Sequence, residues 1–204
     1  MLLLTACSST IGGQPSSTTP SPSNSGSDNP SGSHASRYGA PTVPSPLDVE
    51  ELIDNPCSAL SSDQIDTFPG SLDESEVAET TPFSDKKTSC NWIFQGESYS
   101  YGSILGGVAL PRDKFHGLSS IYKSHQDASY ETFEPLKAAG YPAVVNNESD
   151  YTDDGDCRLT VGLRNDTAYR ISVGLLPDSP RYEQPCEQAK KLAEFVVENL
   201  KEAQ

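Results

Sequence analysis

Four stretches of the chain alternate apolar and polar residues with the period of two that marks a half-buried strand. Cys90, Trp92 and Phe94 share one face of the first, and Ile104, Gly106, Val108 and Leu110 share a face within residues 99–110. Cys157, Leu159, Val161 and Leu163 do the same further on, and after the turn Asn165-Asp166-Thr167 the residues Tyr169, Ile171, Val173 and Leu175 return. That last pair predicts an antiparallel hairpin. Gly106-Gly107, inside the second stretch, predicts a bulge or a close backbone approach, and the bulge is the preferred reading.

A second period, near 3.6, predicts helices. Ala189, Leu192, Ala193, Val196, Val197 and Leu200 trace one apolar stripe in a helix beginning near Pro185, and Cys186 falls on the same side. Pro111 suits the first turn of another helix running to about Ser124, with Phe115, Leu118, Ile121 and Tyr122 inward. Leu47 to Ile53 reads as a short helix or an extended docking segment, broken at Asn55-Pro56-Cys57. Ser61 and Gln64 stand at capping-box spacing and open a short helix that ends at Phe68-Pro69-Gly70. Strands in hairpins with helices around them predict an α+β domain, a twisted antiparallel sheet with helices packed on it.

Composition divides the 204 residues unevenly. Residues 8–46 hold 12 Ser, 4 Thr, 7 Pro and 5 Gly, with only Asp28 and Arg37 charged, so they lack the apolar side chains that offset chain entropy. They read as a disordered stalk, which as a random coil would span roughly 35 Å. Residues 47–204 read as one domain and carry 28 of the 29 acids. The net charge of −15 argues against nucleic acid as a partner, because phosphate binding needs clustered Lys and Arg. No apolar run reaches the length of about 18 residues that spans a bilayer.

At the start, Leu4-Thr5-Ala6-Cys7 resembles the lipobox of bacterial lipoproteins, in which a peptidase cuts before the cysteine and the thiol carries diacylglycerol. Residues 1–7 then read as a truncated lipoprotein signal. A positive n-region and about 7–15 apolar residues are lacking, which predicts an initiator about 15 residues upstream. Two or more acyl chains hold a protein firmly to a bilayer, at about 0.8 kcal/mol per buried methylene. The expected location is therefore the outer face of the cytoplasmic membrane, with the bilayer held through acylated Cys7. His34 lies in the stalk and has no expected catalytic role.

With Cys7 assigned to lipid, Cys57, Cys90, Cys157 and Cys186 remain. An even number in an exported domain implies two disulfides, with three possible pairings. Sequential pairing, Cys57–Cys90 and Cys157–Cys186, is the simplest. A four-thiolate metal site would favour C-x₂-C spacing, which is absent, and an exported free thiol would oxidise.

The order of these features resembles a family. Asn55-Pro56-Cys57-Ser58-Ala59-Leu60, Cys90-Asn91-Trp92, Gly140-Tyr141-Pro142-Ala143-Val144, Cys157-Arg158-Leu159-Thr160-Val161 and Cys186-Glu187-Gln188-Ala189 follow a lipobox and a Ser/Pro-rich stalk. The chain is similar to the actinobacterial lipoprotein family known as domain of unknown function 3558, over residues 50–204. The resemblance implies an exported, membrane-anchored protein and supplies no catalytic residues. The layout is distantly similar to two-disulfide extracellular sensor domains of bacterial Ser/Thr kinases.

No catalytic constellation emerges. A nucleophile elbow G-x-S-x-G is absent, and His116 and His125, nine residues apart on the expected helix, would face opposite sides. Gly102 to Gly107 lacks the Gly-Lys-Ser/Thr end of a P-loop. The acids Glu148, Asp150, Asp153, Asp154 and Asp156 could ligate Ca²⁺ but do not follow EF-hand spacing, and a solvated acidic loop is the preferred reading. Asn147-Glu148-Ser149 and Asn165-Asp166-Thr167 match the N-glycosylation pattern and read as turns. No cofactor and no metal site are expected. The first expectation is a non-enzymatic binding or accessory module for an envelope protein or small ligand. A sensor or regulatory subunit of a membrane kinase or transporter is the alternative, and a carboxylate-based envelope hydrolase the third.

Overall fold

The computed structural model describes residues 37–78, 88–96, 100–111, 115–148 and 154–204, all within the compact unit Gly32–Gln204. Cys7, His34, most of the expected stalk and Asp150 and Asp153 of the acidic loop lie outside them. Among these described residues seven strands form one antiparallel sheet: β1 Ser71–Val77, β2 Ser89–Gln95, β3 Ser100–Ala109, β4 Thr132–Ala138, β5 Tyr141–Asn147, β6 Asp156–Gly162 and β7 Ala168–Leu175. Their order across the sheet is β1-β2-β3-β7-β6-β5-β4. Four helices join them: α1 Glu50–Asp54, α2 Ser62–Ile65, α3 Leu118–Gln126 and α4 Pro185–Glu202. The α+β expectation holds, with four helices on an antiparallel sheet. None of the described helices is long and apolar enough to cross a membrane.

Register explains which side chains meet. Ser75, Trp92, Ile104, Val173 and Cys157 stand in one row across five strands. Two residues along, Cys90, Gly106, Ile171, Leu159 and Val145 form the next. From β2 to β5 this face is buried. The α4 stripe of Ala189, Leu192, Ala193, Val196, Val197 and Leu200 lies over β6 and β7, and the segment from α1 to α2, with Leu52, Leu60, Ile65 and Phe68, lies over β2 and β3. At about 25 cal/mol per Å² of apolar surface, this layer is the main stabilising term of the fold.

The disulfides are Cys57–Cys90, which ties the turn after α1 to β2, and Cys157–Cys186, which ties β6 to the first turn of α4. The sequential pairing is the one observed. The capping box is also present: Ser61 Oγ accepts from the Gln64 amide and Gln64 Oε1 accepts from the Ser61 amide. The Gln64 side chain then exchanges hydrogen bonds of 2.8 Å with Asn199, clamping α2 to α4.

Three expectations need correction. The helix expected from Pro111 begins at Leu118, because Gly117 before it holds φ +56° and its backbone packs on that of Asn165 to Thr167. His116 therefore precedes the helix, and the two histidines are not separated along it. The Gly106-Gly107 bulge is absent: register runs unbroken from Cys90↔Gly106 to Ser89↔Gly107. The glycines instead admit close neighbours, since a Cβ at Gly106 would lie 2.5 Å from the Tyr169 hydroxyl and one at Gly107 2.0 Å from Ser89 Oγ. Finally, the end of the expected stalk is packed. Ala40 and Val43 are buried, and the Val43 amide donates to Asn165 Oδ1 at 2.9 Å. These apolar residues interrupt the Ser/Pro pattern and give the segment something to bury.

Candidate functional site

The other face of the sheet is built from the polar positions of the same alternating strands. Its rows read Glu74–Ile93–Ser103–Gly174–Asp156, then Glu76–Asn91–Leu105–Ser172–Arg158, then Ser89–Gly107–Arg170–Thr160–Val144. At one end this face is covered. Leu118 and Ile121 of α3 bury Val144 together with Ala40, and Phe115, Tyr122, Tyr130 and Phe133 surround them. His125, in the last turn of α3, stacks on Phe133 with ring centroids 3.8 Å apart. That contact gives it a structural place at a helix end.

The opposite end is an open groove made of two clefts that share Asp156. One, of about 280 Å³, is lined by Asn147, Glu148, Asp156, Arg158 and Ser172. The other, of about 420 Å³, is lined by Asn91, Ile93, Ser103, Asp154, Leu176 and Pro177, among others. From β2 to β6 the groove crosses three strand spacings, about 14 Å. Its floor is low at Gly174, where a Cβ would stand 3.1 Å from Asp156 Oδ1. Leu176 on its wall is 46% exposed.

Polar groups in the groove are unevenly satisfied. Arg158 Nη1 donates to Glu148 Oε1 at 2.8 Å, and the Arg158 amide donates to Asn147 Oδ1 at 2.8 Å. Asn147 is buried, yet its Nδ2 and the Nε of Arg158 have no hydrogen-bond partner among the described residues. Such groups are uncommon in native interiors and point to a role. Asp156 holds its proton to higher pH than an ordinary carboxyl, first because it is partly buried and second because Asp154 carries like charge nearby. Behind the groove, Thr160 Oγ1 donates to Asn146 Oδ1 at 2.9 Å, both side chains fully buried.

Of the residues singled out from sequence, the structure unites the four domain cysteines in pairs and brings Glu148, Asp154 and Asp156 to the groove. It places His116 and His125 away from it: neither lines either cleft, and His125 stacks on Phe133. Asn147, which matches a glycosylation pattern, is 6% exposed and turned into the fold. Among the described residues no group of three or more His, Cys, Asp or Glu is placed to hold a metal ion. Sequence reasoning missed Arg158, Ser172, Ser103 and Asn91. The available signal was their position as the polar partners in the same period-two strands whose apolar residues marked the core.

No curated protein and no solved structure matches this chain. The family model described as protein of unknown function DUF3558 matches residues 2–199. With nearly the whole chain covered, from the cysteine-bearing N-terminus into the last turn of α4, this protein belongs to the DUF3558 family.

Proposed function

We propose that this protein is a membrane-anchored extracytoplasmic lipoprotein whose folded head is a non-enzymatic binding or accessory module, working through the polar face of its sheet. The observation that carries the binding part is the groove: an open, mixed polar and apolar surface, beneath which the Asn147 amide nitrogen and Arg158 Nε lie buried with no hydrogen-bond partner among the described residues. The anchoring part rests on Leu4-Thr5-Ala6-Cys7 and the Ser/Pro-rich residues that follow it. A head anchored through its N-terminus stays at the membrane surface, which suits capture of a partner there better than turnover of a soluble substrate.

The test is photo-crosslinking in the native host, with the crosslinker placed at Ser103 in the groove or at Glu198 on α4. A discrete adduct from Ser103 and none from Glu198 is expected. Adducts from Glu198 alone would move the working surface to the helical side. Mass spectrometry of the membrane-extracted protein checks the anchor: the N-terminal peptide should begin at Cys7 and carry acyl mass, and an unmodified Met1 would remove it.

A further inference from the structure

The groove has an unusual alternation of hydrogen-bonding character, and it narrows the chemistry of what can lie there. Donors line its β6–β7 end, the Arg158 guanidinium and the Ser172 hydroxyl, with Asn147 bordering them. Carboxylates stand directly beside them, with Asp156 in both clefts, Asp154 in the second and Glu148 paired to Arg158. A phosphate or carboxylate ligand would accept from the donors but meet Asp154 and Asp156 at close range. The protein's charge of −15 would oppose it from further away. A lysine or arginine side chain would suit those acids, but it offers no acceptor to the Arg158 guanidinium or the Ser172 hydroxyl and meets the Arg158 charge. A hydroxyl both donates and accepts at one atom, so a row of hydroxyls satisfies the alternation without net charge.

The apolar parts fit the same ligand. Ile93, Leu176 and Pro177 offer flat carbon surface beside Asn91 and Ser103, where the C–H face of a sugar ring can rest while its hydroxyls reach the polar groups. The floor is pared down to Gly174, Ser103 and Ser172, so a ring can sink toward the sheet. The length of about 14 Å from β2 to β6 leaves room for more than one ring.

From these contacts we infer that the groove is a binding site for an uncharged, hydroxyl-rich ligand, a short saccharide. It lies across β2, β3, β7 and β6, with Arg158 and Ser172 donating and Asp154 and Asp156 accepting. The inference rests on the binding reading of this face and adds the class of ligand to it.

The experiment is an NMR titration of the full ¹⁵N-labelled chain with three probes: cellotriose, the trimer of N-acetylglucosamine and the peptide Lys-Lys-Lys. One of the trisaccharides should shift the amides of Ser103, Arg158, Ser172 and Gly174 and the side-chain amide of Asn147. Lys-Lys-Lys should leave them unmoved. Gly174→Val, which fills the floor beside Asp156, should weaken that binding at least tenfold while the rest of the spectrum stays folded. Arg158→Gln, which keeps a donor but removes the charge, should weaken it by a smaller factor. Should Gly174→Val unfold the protein, Ser172→Val supplies the same obstruction one row away. Shifts in the groove with Lys-Lys-Lys alone would overturn the saccharide assignment and leave a binding groove standing. Saccharide shifts confined to another surface, or shifts from none of the probes, would overturn the assignment together with the groove.

Discussion

Along β6, Cys157, Leu159 and Val161 disappear beneath α4, while Arg158 and Thr160, each one residue away, belong to the opposite face. The two faces share every backbone hydrogen bond of the sheet and differ only in side chains. On the α4 face the rows are apolar from β2 to β5 and sealed by α4, by the segment from α1 to α2 and by two disulfides. On the other face, α3 and its aromatic cluster seal one end, buried hydrogen bonds occupy the middle, and the groove stays open at the far end. Stability therefore concentrates on one side of the sheet, which frees the open end of the other to carry groups that contribute little to folding. Substitutions at neighbouring positions of a single strand should separate the two roles.

The largest separation should come from β2. Trp92 is 1% exposed in the centre of the α4-side core, and Trp92→Ala should cost about 3–5 kcal/mol by loss of burial and a residual cavity. Asn91→Ala, its immediate neighbour on the groove face, should change stability by less than about 0.5 kcal/mol. Urea unfolding followed by far-ultraviolet circular dichroism measures both. Equal losses would erase the distinction between the faces.

The buried middle of the polar face should fall between these extremes. Thr160→Val keeps the shape but leaves Asn146 Oδ1 without its donor in a site where both residues are 0% exposed, at a cost of about 1–3 kcal/mol. A loss near zero would place this row with the open groove, and the boundary of the working surface would move toward α3.

How much of this was legible beforehand follows the same division. The α4 stripe and the alternation in β2, β3, β6 and β7 were readable because one-sided burial writes itself as periodicity. β1 was not: Ser71 to Val77 is exposed throughout and includes a register shift between Leu72 and Glu74, so no pattern of burial marks it. The β4–β5 hairpin was hidden by its own turn. Ala139 and Gly140 both take positive φ, 47° and 89°, where the usual signal would be Asn-Gly. Pro135 and Pro142 also argued against strands, although Pro135 is tolerated because β4 is an edge. α3 could not be placed from sequence because Gly117 sets its start through contact with the distant Asn165–Thr167 turn. The groove was the least legible feature, since it depends on which polar positions of four strands fall into register.

One polar atom sits on the wrong side. The Tyr169 hydroxyl is buried in the α4-side core, over Gly106 and beside Trp92, with no hydrogen-bond partner among the described residues. Tyr169→Phe should be neutral or stabilising by up to about 1 kcal/mol at pH 7. Burial raises the pKa of this phenol far above its ordinary value near 10. A raised folded-state pKa contributes stability that is present below the unfolded value and lost as pH rises toward the folded one. Wild type should therefore lose urea resistance above about pH 10 by a route that the Phe variant lacks. A variant that loses at least as much as wild type there would mean that the fold does not oppose ionisation of the phenol and that water reaches it in the core.

The smallest effect should be at Asp156, and its sign is the informative part. Partial burial, reinforced by Asp154, raises the carboxyl pKa in the folded state above the unfolded value of about 3.9. The folded state thus prefers the neutral acid, and the stability this contributes is present below about pH 4 and lost as pH rises through the folded value. At pH 7 the ionised Asp156 works against folding, so Asp156→Asn should be as stable as wild type or more so, by less than about 0.5 kcal/mol after screening at this exposed site. Below pH 4 the difference should vanish. A residue kept for packing would show the opposite sign, a loss on replacement at every pH. Should urea midpoints at pH 7 show that loss, Asp156 would belong with Thr160 in the structural part of the polar face. Should they show a gain together with weaker ligand binding, the carboxylate is held at a cost to folding, and only its contact with a ligand accounts for its place at the junction of the two clefts.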